Sequence, residues 1–279
     1  MDTNPRAFAL TPEERTAWDR DGFIVREGVF TIEENDALRQ VAEEIVDGAR
    51  PFPDAHIDRN ALVRDGTSDR EGIYGMHKIH HPSCYSEPFL VRVRDARLTD
   101  PLVDILGPDV LGINNLFIWK APEIGLGFPW HQDKFYFRSR FKTKTTVGTW
   151  TAIDLADEEN GCLYVIPGSH KREISVHDEI EGSQQNEFKL ARDARDEDGI
   201  AVAAAPGSVI WFHSHLLHKS TDNHSLRFRR SYVSHYLSAR AEWSSPEKIG
   251  AGQPIMWIRG DTYADRVHQV EHEVLPVSE

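Results

Sequence analysis

The residues best suited to chemistry lie in one short run, Trp130-His131-Gln132-Asp133. In an extended strand residues i and i+2 point to the same face, so His131 and Asp133 can aim an imidazole nitrogen and a carboxylate oxygen at one point. A further histidine from a distant segment would complete three protein ligands on one face of a metal. About three coordination positions would then stay open, as in non-haem Fe(II) oxygenases. Alone the triplet is weak, because exposed polar residues at a strand end read the same way. A second cluster offers the missing ligand: in Gly207-Ser208-Val209-Ile210-Trp211-Phe212-His213-Ser214-His215-Leu216-Leu217-His218 an apolar strand runs into three histidines. Spacing does not choose among them. His213 and His215 share a face by the period of two, and His218 lies past the strand, at the mouth. A third element is basic. Arg227, Arg229 and Arg230 open the next strand, where Arg229 shares parity with Ser231 and Val233 while Arg230 faces the other way with Tyr232. A buried guanidinium fork suits a bidentate grip on a carboxylate; an exposed one would be a solvated edge that discourages strand pairing.

The elements that must position these groups are legible from pattern. Thr11-Pro12-Glu13-Glu14 and Thr31-Ile32-Glu33-Glu34 are capping boxes, the first with proline where its missing N–H costs nothing. After the second, Ala37, Leu38, Val41, Ile45 and Val46 recur at helical spacing. Between the boxes GFIVREGVF predicts a short strand. Residues 51–73 are polar and turn-rich and predict a loop, and residues 87–107 predict one or two helices closed by Gly107. From about residue 110 the pattern changes. VLGINNLFIWKA, TTVGTWTAIDL, GCLYVIPGS, GSVIWFHSHLL and RFRRSYVSHYL are rich in β-branched and aromatic residues and bounded by turn formers, with Asn160-Gly161 a tight-turn signal. Residues 177–199 are polar and charged, a solvated excursion or a lid. With neither repeat nor linker, the expectation is one domain over 1–279. A mostly helical part, 1–109, packs on a β core at 110–240, and 241–279 forms a C-terminal cover.

Composition narrows the function. The 279 residues carry 32 Lys plus Arg against 45 Asp plus Glu, a net charge of −13, which argues against binding nucleic acid or an anionic membrane. Hydrophobic residues make up 39%, enough for a packed core, and no apolar run approaches the ~18 residues of a membrane span. Cys84 and Cys162 are too few for a disulfide framework and too far apart for a CxxC metal site. The opening MDTNPRAFALTPEER has no apolar segment of the secretory kind, so the expected compartment is the cytoplasm. The conspicuous count is 14 histidines, many of them clustered.

Taken together these segments resemble the phytanoyl-CoA dioxygenase family of Fe(II)/2-oxoglutarate oxygenases. The likeness runs through DGFIVREGVFTIEE (20–34), WHQD (130–133), NGCLYVIPGSHK (160–171), GSVIWFHSHLLHKSTDN (207–223) and FRRSYVSHY (228–236). The resemblance implies a double-stranded β-helix, a jelly-roll, cupin-like barrel with flanking helices. It implies that His131, Asp133 and His218 hold Fe(II), against His213 and His215. Arg229 would take the distal carboxylate of 2-oxoglutarate, Ser220 would offer it a hydroxyl, Trp150 and Leu116 would wall the cosubstrate pocket, and Lys78 would also contact the cosubstrate. O₂ would be the oxidant. With Asp133 in the position that halogenating relatives leave small, the implied outcome is oxygenation: hydroxylation of an unactivated C–H, with succinate and CO₂ released. Desaturation, epimerisation, epoxidation or cyclisation would need the same ligands.

Lys134-Phe135-Tyr136-Phe137-Arg138 follow the second ligand directly, and cationic and aromatic side chains there suit a small polar substrate. Lys134, Tyr136, Arg138, His77, His81 and Trp257 are the candidate substrate contacts, Trp257 either closing the pocket or packing between subunits. The sequence leaves monomer and homodimer open. A reading of another class is a metal-holding barrel without turnover, a binding or regulatory module, although such a barrel has no physical need for a 2-oxoglutarate anchor. A third is a cupin-type metalloenzyme that uses no 2-oxoglutarate. Asn160-Gly161 and Pro167-Gly168-Ser169-His170 read as turns that shape the barrel.

Overall fold

Both capping boxes form. The Thr11 hydroxyl accepts from the Glu14 amide and the Thr31 hydroxyl from the Glu34 amide, and each glutamate returns to the threonine N–H, so helices α1 (Pro12–Asp21) and α2 (Ile32–Val46) start where the sequence places them. The computed structural model describes residues 6–137, 141–143, 145–180, 189–242 and 254–261. Strand β1 (Phe23–Arg26) separates these helices. Then follow β2 (Ile57–Arg59), α3 (Ala61–Arg64), β3 (Met76–His80), α4 (Pro82–Tyr85), α5 (Glu87–Arg94) and α6 (Ala96–Leu106), the last closed by Gly107 at φ 92°. The remainder is β4 (Val110–Lys120), β5 (Phe128–His131), α7 (Asp133–Phe137), β6 (Val147–Ala152), β7 (Leu163–Val165), β8 (His177–Asp178), β9 (Leu190–Ala191), β10 (Ile200–Val202), β11 (Val209–His213), β12 (His218–Ser220), β13 (Arg229–Ser238) and β14 (Met256–Arg259).

Most strands form two antiparallel sheets stacked face to face, the jelly-roll layout, while β8 and β9 pair apart from them. The large sheet runs β1-β11-β6-β13-β4-β3-β2 with β14 added beside β4, and the small one runs β10-β7-β12-β5. Ladders do not join them into a closed barrel. Side chains fill the gap instead. Ile118, Trp150, Ile210, Phe212 and Val233 from the large sheet meet Leu163, Val165 and Val202 from the small one, with the fully buried Cys162 among them.

Because strands alternate, the other face of the large sheet is also apolar, and the helices cover it. Phe117, Trp119, Trp211, Tyr232 and Tyr236 pack with Leu38, Val41, Ile45, Phe89, Val93 and Leu102. The Trp211 indole donates to the Leu98 carbonyl at 3.1 Å, so its one polar atom is satisfied; truncating such a ring to alanine costs about 3–5 kcal/mol. Arg230, on this outer face, reaches Asp154 at 2.7 Å and Glu43 of α2 at 2.6 Å, pinning helix to sheet.

Before residue 110 helices α1 to α6 carry most of the ordered structure, and β1, β2 and β3 among them join the large sheet. Strand β3, MHKIH, went unseen because its polar side chains are buried by neighbours that no local pattern reveals. The stretch 51–73 holds β2 and α3 rather than loop alone. In 177–199, β8 pairs β9, and Ala191 packs with Trp130 and Leu217 of the small-sheet side; residues 181–188 lie outside the described residues. No described helix is long and apolar enough to cross a membrane.

Candidate metal centre and cosubstrate pocket

β5 ends at His131, and the chain then turns through Gln132 so that Asp133 opens α7 rather than continuing the strand. The two side chains therefore converge through a strand-to-helix turn and not by strand alternation. Gln132, 1% exposed, holds that turn: its amide nitrogen donates to the His215 carbonyl at 2.8 Å, its side-chain oxygen accepts from the Ser175 N–H at 2.7 Å, and its backbone N–H donates to His177 Nε2 at 3.2 Å. His218 opens β12 directly opposite His131 in the ladder.

Ligand atoms of His131, Asp133 and His218 all lie within 4.8 Å of one another, and all three residues are buried. Among the described residues no other trio of His, Cys, Asp or Glu is so placed. Asp133 Oδ1 sits 3.6 Å from His131 Nε2 and 3.8 Å from His218 Nε2, a spacing at which one ion can touch all three. The histidine orientations suit that role. His131 Nδ1 meets the Pro129 carbonyl at 2.7 Å and His218 Nδ1 the Leu216 carbonyl at 2.9 Å. A carbonyl can only accept, so each Nδ1 carries the proton and each Nε2 is the unprotonated nitrogen, as a metal ligand requires. Burial, and then the neighbouring His218, push the His131 imidazole down to about 3, which keeps it neutral. Burial works to raise the Asp133 carboxyl, but the adjoining imidazoles of His235 and His218 and a hydrogen bond from His235 outweigh it and hold the group below its usual range.

The cavity beside these ligands is walled by Leu116, Ile118, Trp150, Leu163, Phe212 and Val233, with Ser220 and Arg229 also on its lining. Arg229 is 1% exposed, donates to Ser231 Oγ at 2.9 Å and lies over the Trp150 ring at 5.7 Å. Its Nε has no hydrogen-bond partner among the described residues, nor does the guanidinium pair with any described carboxylate. A buried cation with an unmet donor is a strong preference for an anion. Burial shifts it down to about 10, still charged at neutral pH.

The remaining candidates separate. His213 packs between Trp18 and His170, and His215 Nδ1 faces the Arg172 carbonyl at 3.4 Å, so neither is on the cavity. Lys78 is buried on the face it shares with Ile118, its ammonium 4.0 Å from Asp58 and off the cavity wall. Lys134 turns away: its ammonium donates to the Phe141 carbonyl at 2.9 Å. Tyr136 stands edge-on to His131 at 6.1 Å, its hydroxyl accepting from the Lys189 N–H, and His77 lies behind Phe128, a cavity residue, at 5.4 Å. His81, at φ 54°, packs edge-on to His56. Trp257 belongs to β14 and pairs with Leu111, at the opposite end of β4 from the cavity, under Arg94, so it does not close this pocket. Arg138 lies outside the described residues.

Two residues went unnoticed in the sequence. His235 donates from Nε2 to Asp133 Oδ2 at 2.8 Å, while Asn114 faces its Nδ1 at 3.4 Å. With Oδ2 engaged, Oδ1 is the oxygen turned to the histidine pair. Strand parity could have found it, since Arg229, Ser231, Val233 and His235 share one face. Lys120 is the other, wholly buried at the end of β4.

A profile of the family described as phytanoyl-CoA dioxygenase (PhyH) matches residues 18–231. The chain belongs to this family. Iron and 2-oxoglutarate as cofactors, and the class of non-haem iron oxygenase, accord with the donor set just described. Among relatives, the phytanoyl-CoA dioxygenase domain-containing protein 1 homolog of Caenorhabditis elegans is 28% identical over 267 residues, 82% of this chain and 92% of the relative. The fold is similar to EctD from S. alaskensis, solved with 2-oxoglutarate and 5-hydroxyectoine, at 21% identity, TM-score 0.71, and coverage of 96% of this chain and 93% of that one. It is also similar to EvdO2 from Micromonospora carbonacea var. aurantiaca, complexed with 2-oxoglutarate, at 23% identity, TM-score 0.64, and coverage of 85% and 95%.

Proposed function

We propose that this PhyH-family chain is a dioxygenase that hydroxylates an unactivated C–H of a small polar metabolite or natural product. The observation that carries the reading is the joining, on one cavity, of the His131–Asp133–His218 cluster and the buried, unsatisfied Arg229. When bound, ferrous iron and 2-oxoglutarate supply the oxidising chemistry: one oxygen atom of O₂ goes to the substrate, the other to succinate, and CO₂ leaves.

The chain's own contribution is placement. His131, Asp133 and His218 would hold the iron on one side, leaving the cavity side for cosubstrate and O₂. Arg229 would hold the far carboxylate of 2-oxoglutarate, with Ser220 beside it and Trp150 and Leu116 limiting sideways motion. The apolar walls exclude water, which strengthens these charge contacts. Of the candidate substrate contacts, Tyr136, edge-on to His131, would meet a polar substrate, whereas Phe128 screens the buried His77 from the cavity. The shared core of the N-terminal helices and the large sheet supports one catalytic domain.

The deciding experiment measures substrate-stimulated succinate release by the iron-loaded protein across small polar metabolites, with mass analysis of the product. Hydroxylation appears as one added oxygen per succinate, and Asp133→Ala abolishes it. Undiminished turnover by Asp133→Ala refutes the site, and a product that gains no oxygen refutes hydroxylation.

A further inference from the structure

Lys120 and Arg229 face each other directly in the β4–β13 ladder, so both side chains leave the same face of the large sheet. Two like charges opposite one another on adjacent strands disfavour the pairing. Here both are also buried, Lys120 at 0% and Arg229 at 1% exposure, and neither forms an ion pair with a described carboxylate. The Lys120 ammonium instead donates to Ser220 Oγ at 2.7 Å across the gap between the sheets, and also to the Thr221 carbonyl. Burial and then the charge of Arg229 push that ammonium well below its usual range, a penalty that an anion beside the pair would relieve.

The contact decides what Ser220 can do. Its oxygen accepts from Lys120 and, at 3.4 Å, from the Phe128 N–H, which occupies both lone pairs and leaves the O–H as a donor. Ser220 lines the same cavity as Arg229. Space for the ammonium comes from the Asn160-Gly161 turn: a side chain at Gly161 would put its Cβ 2.9 Å from Lys120 Nζ.

We infer that Lys120 is a positioning residue of the cosubstrate pocket, fixing the Ser220 hydroxyl as a donor to the same carboxylate that Arg229 grips and adding a second positive charge to the pocket floor. The inference rests on the 2-oxoglutarate reading above. It makes the pocket specific for a 2-oxo acid with a second, distal carboxylate.

The test is anaerobic titration of the iron-loaded protein with 2-oxoglutarate and, separately, with 2-oxovalerate, which lacks the distal carboxylate, following the visible absorption of the chelate rather than turnover. Lys120→Met should weaken 2-oxoglutarate roughly 10- to 100-fold and leave 2-oxovalerate unchanged. In a Ser220→Ala background the same substitution should cost markedly less. Should Lys120→Met not fold, Lys120→Gln carries the same arms with a neutral donor. Unchanged 2-oxoglutarate affinity, equal losses for both ligands, or the same fold-loss in both backgrounds would overturn the inference. A wild-type protein that binds iron but no 2-oxoglutarate would overturn the cosubstrate reading itself, and Lys120's role with it.

Discussion

Replacing His235 by leucine removes the hydrogen bond that holds the second oxygen of Asp133 and puts a side chain of similar bulk without a donor in its place. Both residues are buried, at 4% and 8% exposure, and the bond is 2.8 Å long. A buried acceptor left unsatisfied costs about 1–3 kcal/mol, more when it is charged. In the variant the carboxylate can recover part of that by turning Oδ2 toward the metal, which spoils the one-oxygen presentation that Oδ1 now makes at 3.6 and 3.8 Å from the two imidazoles. Residues behind metal ligands are typically worth 10- to 100-fold in metal affinity or activity, equivalent to about 1.4–2.7 kcal/mol, and the two estimates agree. His235→Leu should therefore weaken Fe(II) binding by roughly that factor, measured by chelator competition under anaerobic conditions. His235→Gln, whose amide can reach the position of Nε2, should recover much of the loss. The thermal midpoint of the metal-free protein should fall, since the substitution leaves the buried Asp133 oxygen without its donor. Wild-type iron affinity and turnover in His235→Leu would show that Asp133 needs no support and refute the reasoning.

Arg229→Gln should raise the 2-oxoglutarate requirement by about 100-fold or more while altering iron affinity little, and Arg229→Lys should not rescue it, because an ammonium lacks the fork; steady-state KM and chelator competition separate the two effects. Gly161→Ala should destabilise the protein by about 2 kcal/mol or more and weaken 2-oxoglutarate binding together: Gly161 has φ 86°, and a Cβ there would lie 2.3 Å from the Thr221 carbonyl oxygen. Thermal melts with and without 2-oxoglutarate plus an inert divalent metal read both effects. The hydrogen bond from Arg97 lowers the Glu34 carboxyl from its ordinary 4.5 to about 2. A depressed carboxyl stabilises the fold above its unfolded pKa and loses that contribution as pH falls through the folded one. Glu34→Gln should thus be less stable than wild type at neutral pH by no more than about 1 kcal/mol, because solvent screens this partly exposed pair, and the gap should close between pH 4.5 and 2 in urea melts. A constant gap across that range would assign the loss to the capping box alone.

Local signals carried much of this protein. The two capping boxes, the strands from residue 110 onward and the Gly107 helix stop are decided by neighbours within a few positions, so the chain's order of types was enough to read them. The metal triad was legible in part: HxD was visible as a pair, but spacing alone left three histidines open for the last ligand, and family resemblance rather than geometry pointed to His218. The reason given for the pair was itself incomplete, since Asp133 faces His131 through a turn pinned by Gln132 and not through strand alternation. What the tertiary structure decided is every contact between residues far apart in sequence. His235 reaches Asp133 across 102 positions, Lys120 reaches Ser220 across 100, and Trp257, read as closing the pocket or packing between subunits, sits at the far end of β4. Such contacts depend on which strands pair and in what register, and a burial pattern constrains register only where one face is wet. In the large sheet, dry on both faces, polar residues in β3, β4 and β13 carry no local mark of the partner that accommodates them.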